Sequence, residues 1–248
     1  MGKVDVNCDL GEQADSTLDR EIMPFISSCN IACGGHAGNA ASVKRTVAFA
    51  LENRLAIGAH PSYPDRENFG RRPMVLSSQQ LAEQLVEQVG LVEREANRQG
   101  SALHHIKLHG ALYHQSGADA PTAQTVVDIL SEHYPKIKLY GAPQGELFHA
   151  ALQKGVHYCV EAFADRAYEK DGSLRLRSKP DAVLKEWKQI ENQLENLLLH
   201  HRAITPNQIA LPLQADTICV HSDTPGAVAI AQKIHAFAHQ HGIAITAA

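Results

Sequence analysis

The sequence lacks the features that mark several classes of protein. No run approaches the roughly 18–20 consecutive apolar residues of a membrane-spanning helix. The N-terminus, MGKVDVNCDLGE, has no basic region followed by a long apolar segment, so it does not read as a signal peptide. A cytoplasmic location with no membrane partner is the expectation. Basic charge is not concentrated. Lys and Arg total 23 against 27 Asp and Glu, a net charge of -4, which argues against nucleic acid as the main partner. The cysteines, Cys8, Cys29, Cys33, Cys159 and Cys219, are odd in number and form no CxxC pair. A disulfide framework is therefore not expected, and burial at strand ends is. The Walker A, GxGxxG and HExxH patterns are absent, and no GxSxG surrounds Ser222. Their absence removes the usual marks of phosphate loops, dinucleotide folds, zinc-protease helices and hydrolase elbows.

What the chain does have is alternation. Short apolar runs fall at residues 3–8, 27–32, 55–59, 102–108, 138–141, 156–162 and 217–221. Helical patterns fall between and after them, at 40–53, 77–99, 122–133, 146–154, 181–201 and 224–241. Seven strands alternating with helices specify a parallel sheet under helical cover. Such a sheet either closes as a barrel or stays open and doubly wound. Closure is favoured because polar residues end nearly every strand and no single crevice is marked. The expectation is one irregular seven-stranded (β/α) barrel over residues 1–248, a length that fits a single α/β domain. The segment PSYPDRENFGRRP, residues 61–73, is too rich in Pro, Gly and charge for regular structure.

The chemistry-bearing residues sit where these strands end. In parallel α/β sheets and barrels the ligand lies at the carboxyl ends of the strands. His36, His60, His109 and His221 each follow an apolar run, in CNIACGGH, LAIGAH, HHIKLH and TICVH. VDVNCDLGE ends the first run in carboxylates, Asp9 and Glu12. Period-two alternation puts Val4 and Val6 on one face and Asp5, Asn7 and Asp9 on the other. That second face becomes the interior if the barrel closes. Asp9 suits a base, a metal ligand or an orienting group, against the plainer reading of an Asx turn. Asn30 and His36 flank the glycines of ACGGHAG, which fit either an anion-binding nest or a tight turn.

His60 opens the loop that carries Arg71 and Arg72, one of which is expected to face the site with its carboxylate-matching fork. Lys107 and His109 share a strand face. A lysine inside a barrel is costly unless paired, and it can stabilise negative charge developing on an oxygen. His104 and His105, earlier in that strand, read as structural. Glu161, Asp165 and Arg166 follow the sixth strand, and His221 and Asp223 close the set. So many ionisable groups at one mouth suit acid–base hydrolysis at a polarised carbonyl. Aspartate with several histidines also suits a divalent metal, a question the sequence leaves open.

Six segments, VNCDLGE, NIACGGHAG, IGAHPSYPD with FGRR, KLHGALYH, EAFADRAY and CVHSD, occur in this order from about residue 4 to residue 223. Together they resemble the LamB/YcsF family, the bacterial proteins that form the A subunit of 5-oxoprolinase. The resemblance implies a barrel related to the glycoside hydrolase/deacetylase superfamily. It implies ATP-dependent opening of 5-oxoproline (pyroglutamate) to L-glutamate, with two partner subunits, B and C. Motif by motif it points to Asn7, Asp9, Asn30, His36, His60, Lys107, His109, Glu161, Asp165, Arg166, His221 and Asp223. Three departures stand out: Asn39 where the family usually has aspartate, Leu108 for a common proline, and Ser222 for a common glycine. Only the first removes a titratable group. On this reading Lys107 and an arginine steady anionic oxygens, Asp9 or a histidine acts as general base, and Arg71 or Arg72 holds the substrate carboxylate. Two rival readings are a metal-dependent deacetylase or carbohydrate-directed hydrolase, and a non-catalytic module that binds a small acid and regulates partners.

Overall fold

The computed structural model describes residues 2–176, 179–222, 224 and 226–248. In chain order the elements are β1 (Lys3–Leu10), α1 (Thr17–Ile22), β2 (Ser28–Ala32), α2 (Ala40–Glu52), β3 (Ala56–His60), α3 (Ser78–Arg98), β4 (Leu103–Lys107), α4 (Gly110–Ala118), α5 (Ala120–His133), β5 (Lys138–Gly141), α6 (Glu146–Lys154), β6 (Tyr158–Phe163), α7 (Trp187–Leu199), β7 (Arg202–Ile204), β8 (Ala210–Pro212), β9 (Thr217–Val220), α8 (Ala227–Gln240) and β10 (Ala244–Ile245). Strands β1 to β6 pair in parallel in sequence order. β9 joins β6 to β1 and closes the ring. The result is the expected seven-stranded parallel barrel. β10 adds a short parallel pairing at the start of β1, and β7 and β8 form a separate antiparallel hairpin.

Alternation along each strand decides which residues face the helices. Val4, Val6, Cys8 and Leu10 alternate with Asp5, Asn7 and Asp9 along β1, and Cys29, Ile31, Ile57, Ile106, Leu139, Ile218 and Val220 are buried with them in the apolar cluster. Barrel interiors are usually filled by branched apolar side chains; this one is polar. Asp5 accepts hydrogen bonds from Ser28 Oγ and Thr217 Oγ1 at 2.7 Å each. One level up, Asn7 Nδ2 donates to Glu161 Oε1 (3.1 Å), and Asn30 Nδ2 donates to Asn7 Oδ1 (2.8 Å). Such a polar interior is tolerable because its members pair with one another. Gly58 is part of this arrangement. A Cβ there would lie 2.1 Å from His105 Nε2, so only glycine leaves room for the ring that contacts Asn30 Oδ1 at 2.7 Å and stacks on Tyr140. His105 is thus structural, as its early position in the strand indicates.

Two differences from the sequence expectation have physical causes. The helix expected over 181–201 begins only at Trp187, because residues just before it are used elsewhere. Val183 bridges Arg166, and Leu184 N donates to Asp165 O at 2.7 Å. α4 follows β4 at once in a glycine-containing stretch whose apolar residues show little helical periodicity. Asn39, at the position where the family usually carries aspartate, is the N-cap of α2. Its side chain accepts from Ala41 N (2.9 Å) and Ser42 N (3.0 Å). Either Asn or Asp does this work, so that departure leaves the barrel mouth unaltered. All five cysteines are buried and free, and no helix among the described residues is long and apolar enough to cross a membrane.

Candidate active site at the barrel mouth

A cleft of about 240 Å³ opens at the carboxyl ends of the strands. Its walls include Asp9, Glu12, His60, Arg71, Lys107, His109, Arg166 and His221, with Phe69, Tyr113, Phe163 and Leu174 supplying apolar surface. Residues from five of the seven barrel strands and the turns after them therefore meet in one place.

Lys107 is the hub. Its Nζ lies 2.9 Å from Asp9 Oδ1, 2.9 Å from Glu161 Oε1, 3.3 Å from Asn7 Oδ1 and 3.0 Å from Cys219 Sγ. Burial alone would pull its proton off. The carboxylates, Asp9 foremost, outweigh that and raise its pKa well above the ordinary lysine value. Asp9 gives the mirror result. Burial pushes its pKa up, but the His60 and Lys107 charges prevail and hold it well below the usual carboxylate range. Asp9 is therefore a held anion and a weak base. Its other contacts are Asn30 Nδ2 at 2.8 Å and His60 Nε2 at 3.3 Å.

Beside Asp9 lies a cluster of imidazoles. His36 and His109 stack at 3.7 Å, and His60 meets both edge-on. His36 Nε2 is 3.0 Å from Glu12 Oε1, and His36 Nδ1 is 3.1 Å from Ser62 Oγ. Burial, followed by the nearby His60, pushes the pKa of His36 down to about 2, and burial with His60 and His36 does the same to His109. Both are neutral rings at ordinary pH.

On another side of Asp9, His221 has a ring nitrogen within 4.8 Å of the Asp9 carboxylate and Cys219 Sγ; its Nδ1 donates to Asp165, 3.1 Å from Oδ1, and Thr224 Oγ1 adds a hydrogen bond to Asp165 Oδ2 at 2.9 Å. An aspartate that accepts from Nδ1 fixes the tautomer and leaves Nε2 as the basic nitrogen. Burial raises the Asp165 pKa, but His221 and its hydrogen bonds override this and lower it. His221 also stacks on Phe163.

The structure thus brings together Asn7, Asp9, Asn30, His36, His60, Lys107, His109, Glu161, Asp165, Arg166 and His221. Arg71 and Arg72 are both exposed, and of the two only Arg71 lines the cleft. Arg166 is buried and anchors its own loop, donating to Arg175 O (2.7 Å) and Ala182 O (3.3 Å). Asp223 lies outside the described residues. Of the ACGGHAG glycines, Gly35 serves packing. A Cβ on Gly35 would sit 2.4 Å from Gln88 Oε1 and 2.5 Å from Ser62 Oγ. The positive end of α2 is already capped by Asn39, so the anion-nest reading loses its support.

Sequence reasoning gave no role to several residues at the site. Glu12, marked in the sequence only as a carboxylate after the first run, is carried back over the mouth by the turn at Gly11 (φ 74) to within 3.0 Å of His36. Ser62, Tyr113 and Cys219 are equally ordinary in sequence.

A family description, the LamB/YcsF family, matches residues 4–248. The chain belongs to the LamB/YcsF family. It is 39% identical over 248 residues to the 5-oxoprolinase A subunit from Bordetella parapertussis, covering 99% of this chain and 98% of that one. Its structure superposes on a lactam utilization protein from Thermus thermophilus with TM-score 0.94 at 32% identity, covering 99% of this chain and 100% of that one. A putative cellobiose-phosphate cleavage protein from Enterococcus faecalis shares the fold alone, with TM-score 0.59 at 12% identity over 99% and 97% of the two chains.

Proposed function

We propose that this chain is the lactam-opening component of an ATP-dependent 5-oxoprolinase. It would hydrolyse 5-oxoproline to L-glutamate together with partner subunits B and C. Support comes from near-full-length similarity to proteins named as the A subunit of 5-oxoprolinase and from the contents of the cleft. The observation that carries the reading is a buried, doubly carboxylate-held lysine sharing one small cleft, and its Asp9 and Cys219 neighbours, with an Asp-oriented histidine.

A five-membered lactam is a stable amide. Transfer of the ATP γ-phosphoryl group to the lactam oxygen makes the ring carbon electrophilic. Water then adds to that carbon, and the adduct breaks its C–N bond; a second water releases phosphate and leaves glutamate. His221, oriented by Asp165, takes the proton from the attacking water. Lys107, held charged by Asp9 and Glu161, steadies the anionic oxygens on the carbon. Arg71 at the rim receives the substrate carboxylate. Asp9 positions Lys107 and is not the base, because it is too weakly basic for the task.

The test is to assemble the chain with candidate B and C subunits and follow ATP-linked glutamate release from 5-oxoproline. Asp9→Asn and His221→Ala are then compared with the native chain. Turnover that needs 5-oxoproline and ATP and collapses in both variants is the expected result. Near-normal glutamate formation in both overturns the site, and a stoichiometric complex without turnover favours the regulatory-module reading.

A further inference from the structure

The imidazole cluster contains a conflict that the lactam chemistry does not resolve. His60 Nδ1 lies 2.7 Å from Lys107 O, and His109 Nε2 lies 3.0 Å from Phe69 O. A carbonyl oxygen can only accept, so each of these nitrogens carries its ring's proton. The remaining nitrogens, His60 Nε2 and His109 Nδ1, are then bare in the neutral rings, yet they face each other at 3.0 Å. The same pattern extends to His36. Ser62 Oγ donates to Tyr63 O at 2.8 Å and so takes the His36 Nδ1 proton. That leaves His36 Nε2 facing Glu12 Oε1 at 3.0 Å. With both rings neutral, the lone pairs of His60 Nε2 and His109 Nδ1 point at one another, and His36 Nε2 and Glu12 Oε1 lie beside them.

We propose that Glu12, His36, His60 and His109 bind one divalent transition-metal ion of the zinc type. One donor atom from each of the four residues lies within 4.8 Å of the others. Tetrahedral coordination at roughly 2.0–2.1 Å per bond needs donors about 3.3 Å apart. The contacts of 3.0 Å (His60 to His109), 3.0 Å (His36 to Glu12) and 3.8 Å (His109 Nδ1 to Glu12 Oε1) bracket that spacing. Each ring donates its other N–H to a fixed acceptor, the arrangement that sets tautomer and ring direction in metal sites. Three imidazoles with one carboxylate select zinc, cobalt or nickel over magnesium or calcium, which prefer all-oxygen shells. His36 and His109 are stacked, so one ring tilts out of the stack to aim both lone pairs at a single ion. A proton on His60 Nε2 is the competing way to separate the lone pairs. Asp9 Oδ2, 3.3 Å from that nitrogen, would stabilise either occupant.

The site stands whatever substrate the cleft takes, and its test does not need turnover. The full chain is stripped with a chelator and titrated with Zn(II), Co(II) and Mg(II) separately, with bound metal counted per chain. One equivalent of Zn(II) or Co(II) binds, Mg(II) does not compete, and X-ray absorption of the Zn-loaded chain shows a shell of three imidazole nitrogens with oxygen. His60→Gln and His109→Gln each weaken binding by at least roughly 100-fold, beyond what loss of an outer partner costs. His221→Ala, outside the cluster, keeps the equivalent. Circular dichroism checks that each variant folds, and the absorption spectrum of the native chain decides the matter if a variant does not. Failure to take up Zn(II) or Co(II), or uptake without a histidine shell, overturns the proposal in favour of the shared proton.

Discussion

Replacing Lys107 with methionine tests the electrostatic core of the site. Methionine approximates the lysine stem and removes only the ammonium group. Asp9 and Glu161 lose a partner that sits 2.9 Å from each. Asp9 keeps Asn30 Nδ2 and the neighbouring His60, and Glu161 Oε1 keeps Asn7 Nδ2. Removing one member of a buried ion pair costs roughly 3–5 kcal/mol, because the remaining charge stays desolvated. For a chain of this length each kcal/mol shifts the melting temperature by about 2–4 °C, so a fall of roughly 6–20 °C is expected. The deficit depends on pH. In the native chain the Asp9 pKa is depressed, so its contribution is present above the unfolded value, about 3.9, and is lost as pH falls through the folded value. In the variant the His60 contribution to that depression remains but the Lys107 charge is gone, so Asp9 takes up a proton more readily. The gap between native and variant is therefore wide at pH 8 and narrower at pH 5. The assay is urea unfolding at both pH values, with Lys107→Met/Glu161→Gln as the second corner of a cycle. Recovery of about 0.5–3 kcal/mol in the double variant is expected for coupled neighbours. A variant within 1 kcal/mol of native at pH 8, with no coupling to Glu161, would refute the reasoning.

Other substitutions probe single links. Asp165→Asn removes the group that orients His221 and should lower kcat by about 10²–10⁴, the range of general-base contributions, with little change in KM. Arg71→Ala should raise KM for 5-oxoproline, whereas Arg72→Ala, altering an exposed side chain outside the cleft, should leave both constants near native. Asp19 is buried, which raises its pKa to about 6 despite the hydrogen bond from Gly11 N. Its ionisation therefore costs stability that grows as pH rises through 4 to 6. Asp19→Asn should gain on the native chain over that window, by no more than about 3 kcal/mol, as read by melting temperature against pH. Gly58→Ala should cost about 1–3 kcal/mol, since the added methyl runs into the His105 ring.

Much of the architecture was legible because period-two and helical patterns survive in the sequence. The alternation of Val4 and Val6 with Asp5, Asn7 and Asp9 is the barrel wall itself, seen one strand at a time. Strand-end position singled out His36, His60, Lys107, His109 and His221 because closure forces such positions together. The shortened α7 was not legible, since its expected first turns pair instead with residues 165–166, a long-range contact without a local signature. Nor was the position of Glu12. Its place follows from a single glycine turn at Gly11, and a carboxylate after a glycine is commonplace. The Asp165–His221 pairing joins residues 56 apart in the chain, and only the closing of β9 between β6 and β1 sets it.

The central claim is that the lactam ring sits at this barrel mouth. A crystal structure of the chain assembled with its partner subunits and soaked with 5-oxoproline tests it most directly. The account predicts the ring between Lys107 and His221, with its carboxylate on Arg71. Density for 5-oxoproline in one of the partners, with the barrel mouth empty of it, would contradict the account.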